Sequence, residues 1–214
     1  MAISSAPLDW SPESEEGYET ARSYLKERFA TWCVGKGTKL EADPCEAPIH
    51  YKWGYLDGHL TRWTCRDLDE VYLELHPAKM IVEDEELASV LEEAKAFVAF
   101  LAETGLLDPA SDDPDVLVGH LDRIEGRFRR NMADTSRYSF GKRFWQAAAA
   151  EGIRPDDEKA VRSFMESFNS RPRAEREAVL SRTPQTKPGR AGRFTPPGTK
   201  PRPQRSSASR RRGR

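Results

Sequence analysis

Apolar residues recur at intervals of three and four along most of the chain, the repeat of one buried face on a helix. Tyr18, Ala21, Leu25, Phe29 and Trp32 form the first such stripe. Ser11-Pro12-Glu13 ahead of it offers a cap, a proline for the first turn and an acid at the positive end of the helix dipole, and Gly35 and Gly37 close it. Leu68, Val71, Tyr72 and Leu75 mark a short helix behind a Thr64-Cys-Arg-Asp67 capping box. It is predicted to end at His76, because Pro77 disfavours helical geometry in the residue before it. Residues 83–104 give a continuous apolar face, from Leu87 to Leu101, with acids at the start and Gly105 at the end. Asp113-Pro114-Asp115 opens a helix lined by Leu117, Leu121, Ile124, Phe128 and Met132. Three more segments follow: Ser139 to Gly152, Pro155 to Asn169 with Val161, Phe164, Met165 and Phe168 inward, and Arg173 to Leu180.

One stretch departs from this period. Residues 36–50 are polar, with two prolines, and read as a loop. Tyr51, Trp53 and Tyr55 then face Thr61 and Trp63 across Asp57-Gly58, a dipeptide suited to a tight turn. A small β-hairpin is one expectation here; an irregular loop whose aromatics plug the core is the other. The chain as a whole is thus expected to be all-α or mostly α: a bundle of about seven helices with at most that one hairpin. No strand–helix alternation supports a parallel sheet, and no repeat supports a solenoid.

Three regions follow: a flexible N-terminus (1–10), a helical domain (11–180) and a tail (181–214). The tail has six Pro, four Gly and almost no apolar side chains, so it is expected to be disordered. The longest apolar run, Ala96 to Ala102, is far too short to span a bilayer, and the N-terminus lacks a basic, then apolar, leader. Three cysteines, Cys33, Cys45 and Cys65, make no disulfide framework. Together these features predict a cytoplasmic protein without membrane contact.

The stretch from Tyr51 to Ala150 resembles a family of uncharacterised, mostly helical bacterial proteins. The resemblance is carried by Tyr51-Lys-Trp-Gly-Tyr-Leu-Asp-Gly58, Leu60-Thr-Arg-Trp63, Glu74-Leu-His-Pro-Ala-Lys79, Met132-Ala-Asp134 and Phe140-Gly141. It implies a helical fold. It brings no activity and no functional residue with it.

Charge changes the picture more than any motif. The chain carries 34 Lys+Arg against 35 Asp+Glu, a formal net charge of −1. Yet 181–214 hold 11 of those bases and no acid, leaving 23 bases against 35 acids in the first 180 residues. Arg190, Arg193, Lys200, Arg202, Arg205, Arg210, Arg211, Arg212 and Arg214 are the candidate contacts to a nucleic-acid backbone, DNA or RNA, since guanidinium pairs with phosphate oxygens. A tail lying on the acidic body, or serving solubility alone, are the competing readings. Arg123, Arg127 and Arg130 share one side of a helix and form a possible second basic face; pairing with neighbouring acids is the plainer reading. Trp53, Tyr55 and Trp63 are possible partner-binding aromatics for an adaptor that docks another protein, though such side chains more commonly fill a core.

No phosphate loop, metal-ligand spacing or nucleophile elbow appears, so no cofactor, metal or catalytic residue is expected. The one remote enzymatic candidate is Cys65, beside Arg66 at a helix start, with His59 or His76 as its partner.

Overall fold

The computed structural model describes residues 8–38, 45–82 and 84–181. Among them every regular element is helical and no strand forms. The α-helices are α1 (Glu15–Lys36), α2 (Glu46–Tyr55), α3 (Cys65–Asp69), α4 (His76–Lys79), α5 (Leu87–Glu103), α6 (Pro114–Ala133), α7 (Phe140–Ala150), α8 (Glu158–Ser170) and α9 (Arg173–Leu180). The described residues cluster into two units, one of residues up to Asp67 with Glu93–Val118, the other of Leu68–Glu92 with residues from Gly119 onward.

In the first unit α1 is capped by Ser14, whose Oγ accepts the Gly17 N–H at 3.1 Å, three residues later than Ser11. It ends on Gly37, whose φ of 67° requires the left-handed region. Its buried face runs through Tyr18, Ala21, Leu25, Phe29 and Cys33; Trp32 is half-buried instead. Phe29 meets the edges and faces of Phe97 (5.4 Å) and Phe100 (5.3 Å) on α5, and Trp63 meets Phe97 edge-on at 6.2 Å. These aromatic contacts make the centre of this core.

The hairpin does not form. Tyr51, Trp53 and Tyr55 lie on α2, a helix absent from the sequence reading, which begins within the supposed loop. A type I′ turn needs positive φ at both central residues. Gly58 has it, at 80°, but Asp57 does not. The alternation of aromatics at 51, 53 and 55 was the wrong period: Ile49 and Tyr51 are fully buried, while Trp53 and Tyr55 are half-buried.

In the second unit the chain does not stop before Pro77. A π-helical segment, Glu70–Leu75, joins α3 to α4 and carries the helix through the proline. Pro77 has no N–H to give Leu73, four residues back. The Leu73 carbonyl instead accepts Asn131 Nδ2 at 2.9 Å and Arg137 Nη1 at 3.3 Å. The wider turn lets the His76 N–H reach back five residues to the Val71 carbonyl, which also accepts the buried His76 Nδ1 at 3.0 Å. Tyr72 and His76 then close on Phe128 of α6.

The unit's other core joins α7, α8 and α9 through Phe144, Trp145, Phe164, Phe168 and Val179. Ser139 caps α7 and Asp157 caps α8. Met165, expected inward, is 46% exposed.

Candidate functional site

The helix α6 places the second basic face. Its inward line is Leu117, Leu121, Ile124, Phe128 and Met132, all buried. On the opposite side Arg123, Arg127 and Arg130 are exposed. The neighbouring Arg129 is taken by Glu125, with both Nε and Nη2 at 3.0 Å from one oxygen. Arg123 Nη2 lies 3.5 Å from His120 Nδ1, and His120 Nε2 is held 2.8 Å from Asp69. Among the described residues no carboxylate pairs with Arg123, Arg127 or Arg130. Gly119 and Gly126 keep the preceding turns low: a Cβ there would sit 3.7 Å from Arg123 Nη1 and 3.6 Å from Arg130 Nη1. The two guanidiniums therefore lie back along the helix, as long side chains do. The tail arginines and lysines from Arg190 to Arg214 lie outside the described residues, as does the expected flexibility of 181–214 beyond Ser181 and of the first seven residues.

The candidate aromatics go elsewhere. Trp63 is 1% exposed and donates its Nε1–H to the Leu60 carbonyl at 3.0 Å. Trp53 stacks flat on Tyr18 at 4.0 Å and donates to the Pro12 carbonyl. Tyr55 packs edge-on to Tyr51. Among the described residues the exposed aromatic is Phe140, quoted in the sequence only for a resemblance: it is 62% exposed at the first turn of α7.

Among the described residues two lysines are buried, Lys52 and Lys142, the second of which the charge pattern groups with the basic face. Lys52 on α2 is fully buried and ion-paired with Asp67 (2.7 Å) and Asp57 (3.0 Å). Asp67 is the capping-box acid, accepting the Thr64 N–H at 2.9 Å while its own N–H donates to Thr64 Oγ1. Burial alone would raise the Asp57 carboxyl; hydrogen bonds from Arg62 and the His59 N–H, with the Lys52 ammonium, outweigh it and hold Asp57 below the usual range. The Tyr51–Gly58 motif thus encodes a charged network around an interior lysine. Placing Lys52 in a strand concealed it; read as helix, its position one turn from Ile49 puts it on a buried face.

Among the described residues Lys142 on α7 has no such acid. It is 2% exposed, donates to the Pro77 carbonyl at 2.8 Å and sits 3.7 Å from the Tyr138 ring centre. Desolvation pulls its ammonium down to about 7.

The Cys65 N–H donates to Asp112 at 2.7 Å, so a carboxylate already occupies this helix start. His59 lies 3.2 Å from Asp108, and His76 is bound to the Val71 carbonyl. Cys33 and Cys45 are buried thiols, both raised by desolvation. Among the described residues no three His, Cys, Asp or Glu side chains are grouped to hold a metal ion, and no helix is long and apolar enough to cross a membrane. Comparison with family models, with curated proteins and with solved structures gives no match.

Proposed function

We propose that the protein binds nucleic acid without reading its sequence, through its basic C-terminal segment, with the helical body contributing a secondary face. The observation that carries this reading is the charge partition: 11 bases and no acid in 181–214, against 23 bases and 35 acids before it. A segment of one sign collects phosphates by releasing condensed counterions, and arginine adds paired hydrogen bonds. Phe194 is the segment's only aromatic, so base readout has little to work with there. The exposed arginines of α6 support a second contact, because among the described residues their charge is not spent on carboxylates. A docking adaptor built on Trp53, Tyr55 and Trp63 gains less support, since Trp63 is interior and the other two are half-buried against neighbours.

The test is binding of the full chain to a short duplex and a single strand across a salt series. Replacing the 11 tail bases with Gln is expected to remove most of the affinity and flatten the dependence on salt, which runs at about −0.9 per phosphate on duplex DNA. Undiminished binding by that variant sinks the reading.

A further inference from the structure

In the second unit the helical stretch that ends at Leu75 lies along α6 in matched order. Asp69 meets His120, Tyr72 meets Phe128 edge-on at 6.2 Å, and the Leu73 carbonyl receives Asn131. These ties fix Asp69 against the first half of α6. Its Oδ1 lies 2.8 Å from His120 Nε2, on a ring whose side chain is 16% exposed. The other ring nitrogen, Nδ1, stands 3.5 Å from Arg123 Nη2. A carboxylate can only accept and a guanidinium can only donate, so one arrangement of the ring serves both neighbours: Nε2–H donates to Asp69 and Nδ1 accepts from Arg123. Carboxylate, imidazole and guanidinium thus form a relay in which each group orients the next. The ring stands between the Asp69 carboxylate and the guanidinium.

This hold sets Arg123 apart from the arginines around it. Arg129 spends Nε and Nη2 on Glu125. Arg127 and Arg130 are exposed and, among the described residues, have no comparable acceptor. A ring nitrogen steers the Arg123 guanidinium without neutralising it, and takes one donor of its planar fork while leaving the rest. Gly119, one turn back, adds no side chain beneath the group: a Cβ there would stand 3.7 Å from Nη1. The guanidinium therefore keeps its charge, its exposure and most of its donors, with its position set in advance. A phosphate that meets such a group loses less affinity to the ordering of a long side chain, and the open fork matches two of its oxygens.

Resting on the reading above, we infer that Asp69, His120 and Arg123 form a phosphate clamp on the body: Arg123 grips one backbone phosphodiester through paired hydrogen bonds, and His120, held by Asp69, is its positioning residue. The tail gathers phosphates by charge; the clamp gives one of them a fixed place.

The test uses the full chain and a labelled DNA duplex of about 20 base pairs. Arg123→Gln is expected to weaken binding about fivefold or more and to reduce the salt slope by about 0.9, the share of one phosphate. Arg123→Lys keeps the charge without the fork and is expected to lose nearly as much affinity with the slope retained, whereas Arg127→Lys and Arg130→Lys should bind as the wild type does. His120→Phe keeps a ring without the acceptor. It is expected to weaken binding about threefold beside Arg123 and not at all beside Arg123→Gln, whereas a merely structural role would weaken both alike. Inorganic phosphate added at constant ionic strength is expected to leave the complex intact. Wild-type affinity in Arg123→Lys, or equal losses from His120→Phe in both backgrounds, overturns this inference. So does release of the duplex by inorganic phosphate that depends on Arg123, which would assign the site to the free ion. If the tail variant still loses binding, the broader reading stands; binding insensitive to the tail as well overturns both.

Discussion

Lys142 holds its amine where water does not reach, with one carbonyl and one ring face as company. In the unfolded chain that amine titrates near 10.5; in the fold it does so at about 7. Between those values the unfolded state binds a proton that the folded state lacks, so stability rises with pH across this window. Below about 7 both states are protonated and the full penalty is present; above about 10.5 it is gone. At about 1.4 kcal/mol per pH unit the penalty is of order 5 kcal/mol. Lys142→Met should therefore raise stability by about 2 kcal/mol or more at pH 6–7, after loss of the Pro77 hydrogen bond, and the gain should vanish by pH 11. Urea denaturation of both proteins at several pH values checks the sign. Lys52 is the opposite case, since Asp57 and Asp67 compensate its charge. Asp67→Ala strands part of that charge and leaves the Thr64 N–H without its carboxylate acceptor, and should cost about 3–5 kcal/mol by the same measurement.

At the scale of elements, the segment from Glu70 to Lys79 concentrates the least predictable chemistry. The carbonyl that Pro77 leaves unserved is met by Asn131 and Arg137, so Asn131→Ala should cost about 1–3 kcal/mol. In a Pro77→Ala background Leu73 regains a backbone donor, and the same Asn131→Ala change should cost less. A double-mutant cycle read by chemical denaturation measures this coupling. The long amphipathic helices were legible in the sequence because their signals are local: the stripe Leu117 to Met132, the caps Ser139 and Asp113, the stop at Gly105. The segments misread were those where a local rule met a non-local answer. Pro77 ends a helix only if nothing else donates to the Leu73 carbonyl it leaves unserved, and the donors, Asn131 and Arg137, come from some sixty residues away. Alternating aromatics in 51–55 mimic a strand because Trp53 and Tyr55 find ring partners on a helix too. The candidate site was legible in its charges, since Arg123, Arg127 and Arg130 fall on one face by spacing alone. Phe140 was not, because no spacing rule distinguishes an exposed aromatic from a buried one.

For the molecule as a whole, opposite charge is separated along the chain rather than mixed. Attraction between the basic end of one copy and the acidic body of another is strong when screening is weak. The Debye length is about 30 Å at 0.01 M salt and about 8 Å at physiological strength. The protein should thus associate with itself at low salt near its isoelectric point, about pH 6.5, and become monomeric as salt is added. Light scattering across a sodium chloride series reads this directly; association that grows with salt would instead indicate an apolar contact. A nucleic-acid partner would compete with this attraction, so adding an oligonucleotide at low salt should also disperse the assemblies.

Pro77 has a further consequence for how this sequence can change over time. A π turn amounts to one residue more than an α-helix needs, and each residue turns the helix by about 100°. Deleting a single residue between Glu70 and Leu75 would let the α-helical ladder close, but would swing Pro77 and everything after it around the axis by that angle. The carbonyl that receives Lys142 and the ring that meets Phe128 would both face away from their partners. Along this stretch the chain should accept substitutions far more readily than changes in length.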